Sequence, residues 1–226
     1  MWTRACAHRA DRILLVGRAD ASPNPGEEER KMQQYLAEHN DARVELILIH
    51  PEGTTLPTGT NAWLKERNVM HHHQVRAHNH ADMQRIGRFL PGNAIGVALS
   101  GGGFKASMTM GILHAFREGG LPVDIVGGSS GGALAGATFA LRRPLAEVKR
   151  DVVRINEGFK KSGTITFPLV SLFTGKKYTR GFQRAFGETQ IEDLWSNYFC
   201  LSLSLVSGDL HVHREGPVWE AVRASS

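Results

Sequence analysis

Apolar residues in this chain fall in short runs broken by polar and glycine-rich stretches, a pattern that predicts alternating strands and helices. Arg12-Ile13-Leu14-Leu15-Val16-Gly17 and Val44-Glu45-Leu46-Ile47-Leu48-Ile49-His50 predict two buried strands, with helix formers from Gly26 to His39 between them. Pro, Gly and Thr make 51–61 a loop. Residues 81–90 predict a helix carrying Met83, Ile86, Phe89 and Leu90 on one face and closed by Pro91-Gly92. Residues 1–90 are thus expected to form a small α/β segment ahead of a second unit at 91–226.

In the second unit, the strand Ile95-Gly96-Val97-Ala98-Leu99 feeds Ser100-Gly101-Gly102-Gly103, and a helix follows from about Lys105 to Arg117. Gly119-Gly120 and Pro122 end that helix. Val123-Asp124-Ile125-Val126 predicts the next strand, and Gly127-Gly128-Ser129-Ser130-Gly131-Gly132 turns the chain into the small-residue helix Ala133 to Leu141. Strand, turn and helix in succession, twice over, imply a mainly parallel sheet joined by right-handed crossovers, an α/β fold. Further helices are expected at about 145–159 and 180–186, and a later strand at 199–206.

The second of these turns carries chemistry. Gly128-Ser129-Ser130-Gly131-Gly132 satisfies G-x-S-x-G, in which a serine on a sharp strand-to-helix turn projects its hydroxyl above the sheet. The same stretch fits with Ser129 at the centre, in the frame Gly127 to Gly131, but Ser130 lies nearer the start of the helix. Gly101, Gly102 and Gly103 stand at the end of the preceding strand, so both turns emerge at one edge of a parallel sheet. Backbone N–H groups on such a loop stabilise a tetrahedral oxyanion, and glycine lets them come close to a substrate. Lys105 adds positive charge there. A nucleotide cradle matches poorly: no G-K-[ST] follows, and Ala106 occupies the last glycine of G-x-G-x-x-G.

Composition narrows the class. With 41% hydrophobic and 22% charged residues the chain can bury a core, which excludes a disordered tail. The net charge of +5 comes from scattered basic residues, which points to no nucleic-acid partner and leans toward an anionic surface. Two distant cysteines, Cys6 and Cys200, fit a reducing, cytoplasmic setting. No apolar run reaches the length of a membrane span, so membrane contact is expected to be peripheral.

Other candidates are weaker. Ser130, Asp209 and His211 or His213 follow the order of an α/β-hydrolase triad, yet Asp209 and His211 share one strand face and leave little room for a braced imidazole. His71-His72-His73, with His78 and His80, lacks metal-ligand spacing and reads as a solvated loop or edge strand. The apolar run 167–173 is either a lipid-touching lip or core, and the Trp195, Tyr198 and Phe199 cluster is expected to be packing.

The stretches Gly96 to Gly103 and Val123 to Gly132 resemble the two signatures of the patatin-like phospholipases, in particular the neuropathy target esterase-like branch. Ala10 to Gly17, His50 to Gly53, Ile191 to Trp195 and Val222 to Ser225 are similar to that branch as well. The resemblance implies a three-layer α/β/α fold and a Ser-Asp dyad without histidine, metal or cofactor. It further implies cleavage of acyl esters in phospholipids or lysophospholipids, with Ser130 as nucleophile. Two departures stand out. The oxyanion signature ends Gly103-Phe104-Lys105-Ala106 where the family has a glycine last. The family's catalytic aspartate sits in an Asp-Gly-Gly or Asp-Gly-Ala motif, and no Asp-Gly pair occurs among these 226 residues. The expectation is therefore a fragment whose base lies further along the gene, inactive by itself. The alternative is a lipid-binding or regulatory pseudoenzyme.

Overall fold

The structure, a computed structural model, describes residues 2–39, 42–144, 146–150, 153, 155 and 175–226. The chain divides into two compact units, 1–90 and 91–226.

In the first unit, α1 (Trp2–His8) precedes β1 (Arg12–Arg18), α2 (Glu27–His39), β2 (Arg43–His50), α3 (Thr60–Leu64), β3 (His71–Arg76) and α4 (His80–Phe89). The strands form a parallel sheet in the order β1-β2-β3. Central β2 is buried on both faces, and most of its residues are apolar. Leu46 and Leu48 pack with Trp63, while Ile47 packs with Val75 and Ile86. The same strand buries Glu45, whose carboxylate is held by Arg12 from β1 and, at 3.0 Å, by His73 Nε2 from β3. Burial lowers the His73 pKa to about 4, so that its imidazole is neutral near pH 7. The edge-strand expectation for 71–73 is met, the solvated-loop one is not: His73, Gln74 and Val75 are all buried. Gln74 bridges His50 Nε2 at 2.6 Å and Thr60 Oγ1 at 2.8 Å.

The second unit runs β4 (Gly96–Leu99), a 3-10 turn (Gly103–Lys105), α5 (Ala106–Glu118), β5 (Ile125–Ser129) and α6 (Gly131–Ala140). It continues with α7 (Lys176–Phe186), a 3-10 turn (Ile191–Asp193), β6 (Asn197–Leu203), β7 (Leu210–His213) and α8 (Val218–Ala224). Residues 146–150 are helical, consistent with the pattern at 145–159, and 167–173 lie outside the described residues. The sheet order is β4-β5-β6-β7, parallel except for the antiparallel β6–β7 pair. Helix α6 is buried from Gly132 to Ala140, as expected for a helix apolar all round.

Three boundaries differ from the expected ones, each for a local reason. Strand β5 begins and ends later than the apolar run 123–126, because its glycines are placed by packing. A Cβ on Gly127 would lie 2.1 Å from the Phe199 ring. Strand β6 stops at Leu203, where Ser204, Ser207, Gly208 and Asp209 build a turn closed by Ser204 N–H to the Asp209 carbonyl at 2.9 Å. Helix α7 starts at Lys176, earlier than 180, behind Gly175 at φ 60°. Trp195 and Tyr198 are core, and the Tyr198 hydroxyl donates to the Ala133 carbonyl at 2.9 Å.

Candidate active site

Strand β5 delivers Ser129 and Ser130 to the carboxyl edge of the sheet, and α6 starts one residue later. Ser129 is the last strand residue. Ser130 has φ 50° and ψ −120°, the conformation of the first central residue in a type II′ turn, a place normally held by glycine. Among the described residues only His78 and Arg142 share a positive φ without being glycine. Serine at a helix start usually caps it by accepting from the first-turn N–H groups. Ser130 makes no such capping bond.

The turn is tight because its glycines let backbones touch. A Cβ on Gly128 would stand 2.5 Å from the Gly132 carbonyl carbon, and one on Gly132 would stand 2.4 Å from the Leu99 oxygen. Both obstacles are main chain, so neither can move aside. The end of β4 is thereby locked beneath the first turn of α6, which brings the glycine loop to the serine. A Cβ on Gly101 would lie 3.3 Å from Ser130 Cβ and 3.6 Å from Ser129 Oγ. Gly101, Gly102 and Gly103 are exposed. The Gly102 carbonyl accepts from Lys105 N–H at 3.0 Å, and Gly103 takes φ 53° to enter the 3-10 turn.

One contact had no counterpart in the sequence pattern. Ser225, just past α8, accepts the Ser130 N–H at 2.8 Å and donates to the Leu201 carbonyl at 2.6 Å. The Ser130 N–H is therefore occupied, and Gly131 follows as the first residue of α6, where backbone N–H groups have no partner within the helix.

Asp124 and the triad candidates Asp209, His211 and His213 lie elsewhere. Asp124 is buried at the opposite end of β5, roughly 20 Å along the strand from Ser130, and accepts Ile95 N–H at 2.9 Å. Val212 of β7 is level with Leu201 of β6, itself level with Ser129, so β7 lies two strand spacings, about 10 Å, from β5. His213 Nε2 is hydrogen-bonded to Ser202 Oγ at 2.7 Å, and burial followed by the nearby His211 lowers its pKa. A triad from Asp209 and these histidines is not assembled on Ser130. Among the described residues no group of three or more His, Cys, Asp or Glu is placed to hold a metal ion.

Residues 97–226 match the family described as patatin-like phospholipase. The chain belongs to that family. Residues 1–94 match the P-loop like domain of the neuropathy target esterase family. The patatin-like chain is 33% identical over 257 residues to patatin-like phospholipase domain-containing protein 6 of Homo sapiens, an alignment that covers 99% of this chain and 18% of that protein. Neuropathy target esterase sws of Drosophila erecta is 33% identical over 255 residues, with 99% and 17% covered. The chain thus spans less than a fifth of the length of these relatives. Its fold is the patatin fold, with a mainly parallel sheet and helices on either side, in line with the three-layer expectation.

Proposed function

We propose that this protein hydrolyses acyl esters of phospholipids or lysophospholipids through Ser130. The conformation of Ser130 carries the proposal: a residue held at φ 50° between β5 and α6, with a hydroxyl that caps nothing, is positioned for attack. Family membership supports a lipid ester as substrate.

In the proposed reaction an aspartate takes the proton of Ser130 as Oγ attacks the ester carbonyl carbon. Charge developing on the carbonyl oxygen is met by N–H groups of the glycine loop, Gly101 to Gly103, and of Gly131. Collapse breaks the bond to the alcohol, which leaves with the proton while the acyl group stays on Ser130 Oγ. Water, deprotonated by the same carboxylate, releases the fatty acid and restores the serine. The aspartate is assigned to an Asp-Gly segment outside residues 1–226, since those residues contain no such pair. No metal or cofactor has a part in these steps.

Contact with a lipid surface is assigned to the β6–β7 turn. Strand β6 runs parallel to β5 and extends two residues past Leu201, the partner of Ser129, so the turn stands beyond the elbow on the same edge. Leu205 and Val206 at its tip are 96% and 100% exposed. No described helix is long and apolar enough to cross a membrane. The attachment proposed is peripheral, in the cytoplasm.

An active-site fluorophosphonate probe tests the nucleophile. In the full-length protein, Ser130→Ala is expected to abolish labelling and Ser129→Ala to keep it. Labelling of Ser130→Ala at the parental level would sink the assignment, and no labelling of any folded form would favour the pseudoenzyme.

A further inference from the structure

We infer that Ser225 is a positioning residue for the nucleophile: its hydroxyl replaces the rung of the sheet that the elbow gives up. This rests on the proposed role of Ser130. The parallel ladder between β5 and β6 ends at Ser129 opposite Leu201. At the next residue the backbone swings to φ 50°, and the Ser130 N–H is bonded to the Ser225 hydroxyl. An N–H left without an acceptor there would oppose the turn, because a half-buried donor needs a partner. The Ser225 hydroxyl stands in the gap. It donates to the Leu201 carbonyl at 2.6 Å and accepts the Ser130 N–H at 2.8 Å, so donor and acceptor roles are both fixed.

The device is held from outside the elbow. Ser225 N–H bonds to the Ala221 carbonyl at 3.0 Å, which fixes it as the last turn of α8. Val218, Ala221 and Val222 anchor that helix as buried residues. The consequence for chemistry is twofold. Ser130 is pinned through its own backbone, which sets where Oγ points. Its N–H is also withdrawn from the oxyanion site, so that stabilisation falls to Gly131 and the glycine loop. Ser225 touches no reacting atom in this arrangement and acts only through Ser130.

The test compares the full-length parent, Ser225→Ala, Ser225→Thr and Ser130→Ala, with p-nitrophenyl butyrate turnover, fluorophosphonate labelling rate and melting temperature measured for each. Ser225→Ala is expected to lower kcat and the labelling rate constant by about 10- to 100-fold with KM unchanged, the effect of a nucleophile displaced by a fraction of an ångström to one ångström. Ser225→Thr keeps the hydroxyl and is expected to recover most of both. Should the alanine form not fold, Ser225→Cys, a poor acceptor of similar size, carries the same expectation. Parental kcat and labelling in Ser225→Ala would overturn the inference, as would a loss matched by the fraction unfolded and not relieved by threonine. Both of these outcomes leave the nucleophile assignment standing if Ser130→Ala is silent. Labelling of Ser130→Ala would instead overturn that assignment and this inference with it.

Discussion

At Ser130 the backbone holds a side-chain-bearing residue at φ 50° and ψ −120°, where Cβ crowds the neighbouring peptide. An L residue in left-handed space is disfavoured by roughly 1–2 kcal/mol relative to glycine. Ser130→Gly is therefore expected to be about 1–2 kcal/mol more stable than Ser130→Ala, although both lack the hydroxyl. Denaturant unfolding of the two variants measures the difference, and equal midpoints would show that the elbow stores no strain. The same backbone feature separates the two serines, which no pattern in the pentapeptide does. Gly-x-Ser-x-Gly fits Ser129 and Ser130 alike, and the turn at the end of β5 gives Ser130 and not Ser129 a positive φ. The glycines were legible because close approach demands them at fixed offsets from the serine. Ser225 was not legible as a partner of the elbow. It lies 95 residues from Ser130 in sequence, and packing of α8 and pairing of β6 bring the two together.

Periodicity located the elements whose apolar residues face a core, and failed where polar residues are buried against each other. Strands β1, β2 and β4 and helices α4, α5 and α6 follow their apolar runs closely. Strand β3 could not be told from a solvated loop, because His73 and Gln74 look solvated until Glu45, His50 and Thr60 are seen to satisfy them. Strand β7 is four residues long and alternates leucine or valine with histidine, too short for a firm pattern. The hairpin it forms with β6 is the element proposed to meet lipid. Leu203, Leu205, Val206 and Leu210 leave apolar side chains in solvent around an ordered turn, and burying one such side chain is worth about 1.5–3 kcal/mol. Replacing Leu205 and Val206 together by aspartate is expected to weaken co-sedimentation with phosphatidylcholine vesicles at least tenfold. Turnover of the dispersed ester p-nitrophenyl butyrate should stay at the parental level. Unchanged sedimentation would remove the hairpin from the lipid contact.

At the scale of the whole molecule, the proposed chemistry is divided between what residues 1–226 hold and what they lack. They hold the proposed nucleophile, the brace inferred at Ser225 and the glycine loop proposed for the oxyanion, all in the unit at 91–226. They lack an Asp-Gly pair, and two buried carboxylates of the unit, Asp124 and Glu192, are committed elsewhere. Asp124 binds the Ile95 N–H at the far end of β5, and Glu192 accepts Gly216 N–H at 2.9 Å. A serine hydroxyl is a weak nucleophile near neutral pH without an adjacent base. Residues 1–226 alone are therefore expected to hydrolyse a lysophospholipid far more slowly than a version extended through an Asp-Gly segment. What remains should come from the oxyanion loop, at about 1,000-fold over water by comparison with triads stripped of one member. The measurement is initial rate for the two lengths at equal folded concentration, with Ser130→Ala of each as the blank. Within the extended version, changing the aspartate of that segment to asparagine should bring the rate down to that of the short form. Equal rates from the two lengths would place the base within residues 1–226 and overturn the proposed dyad.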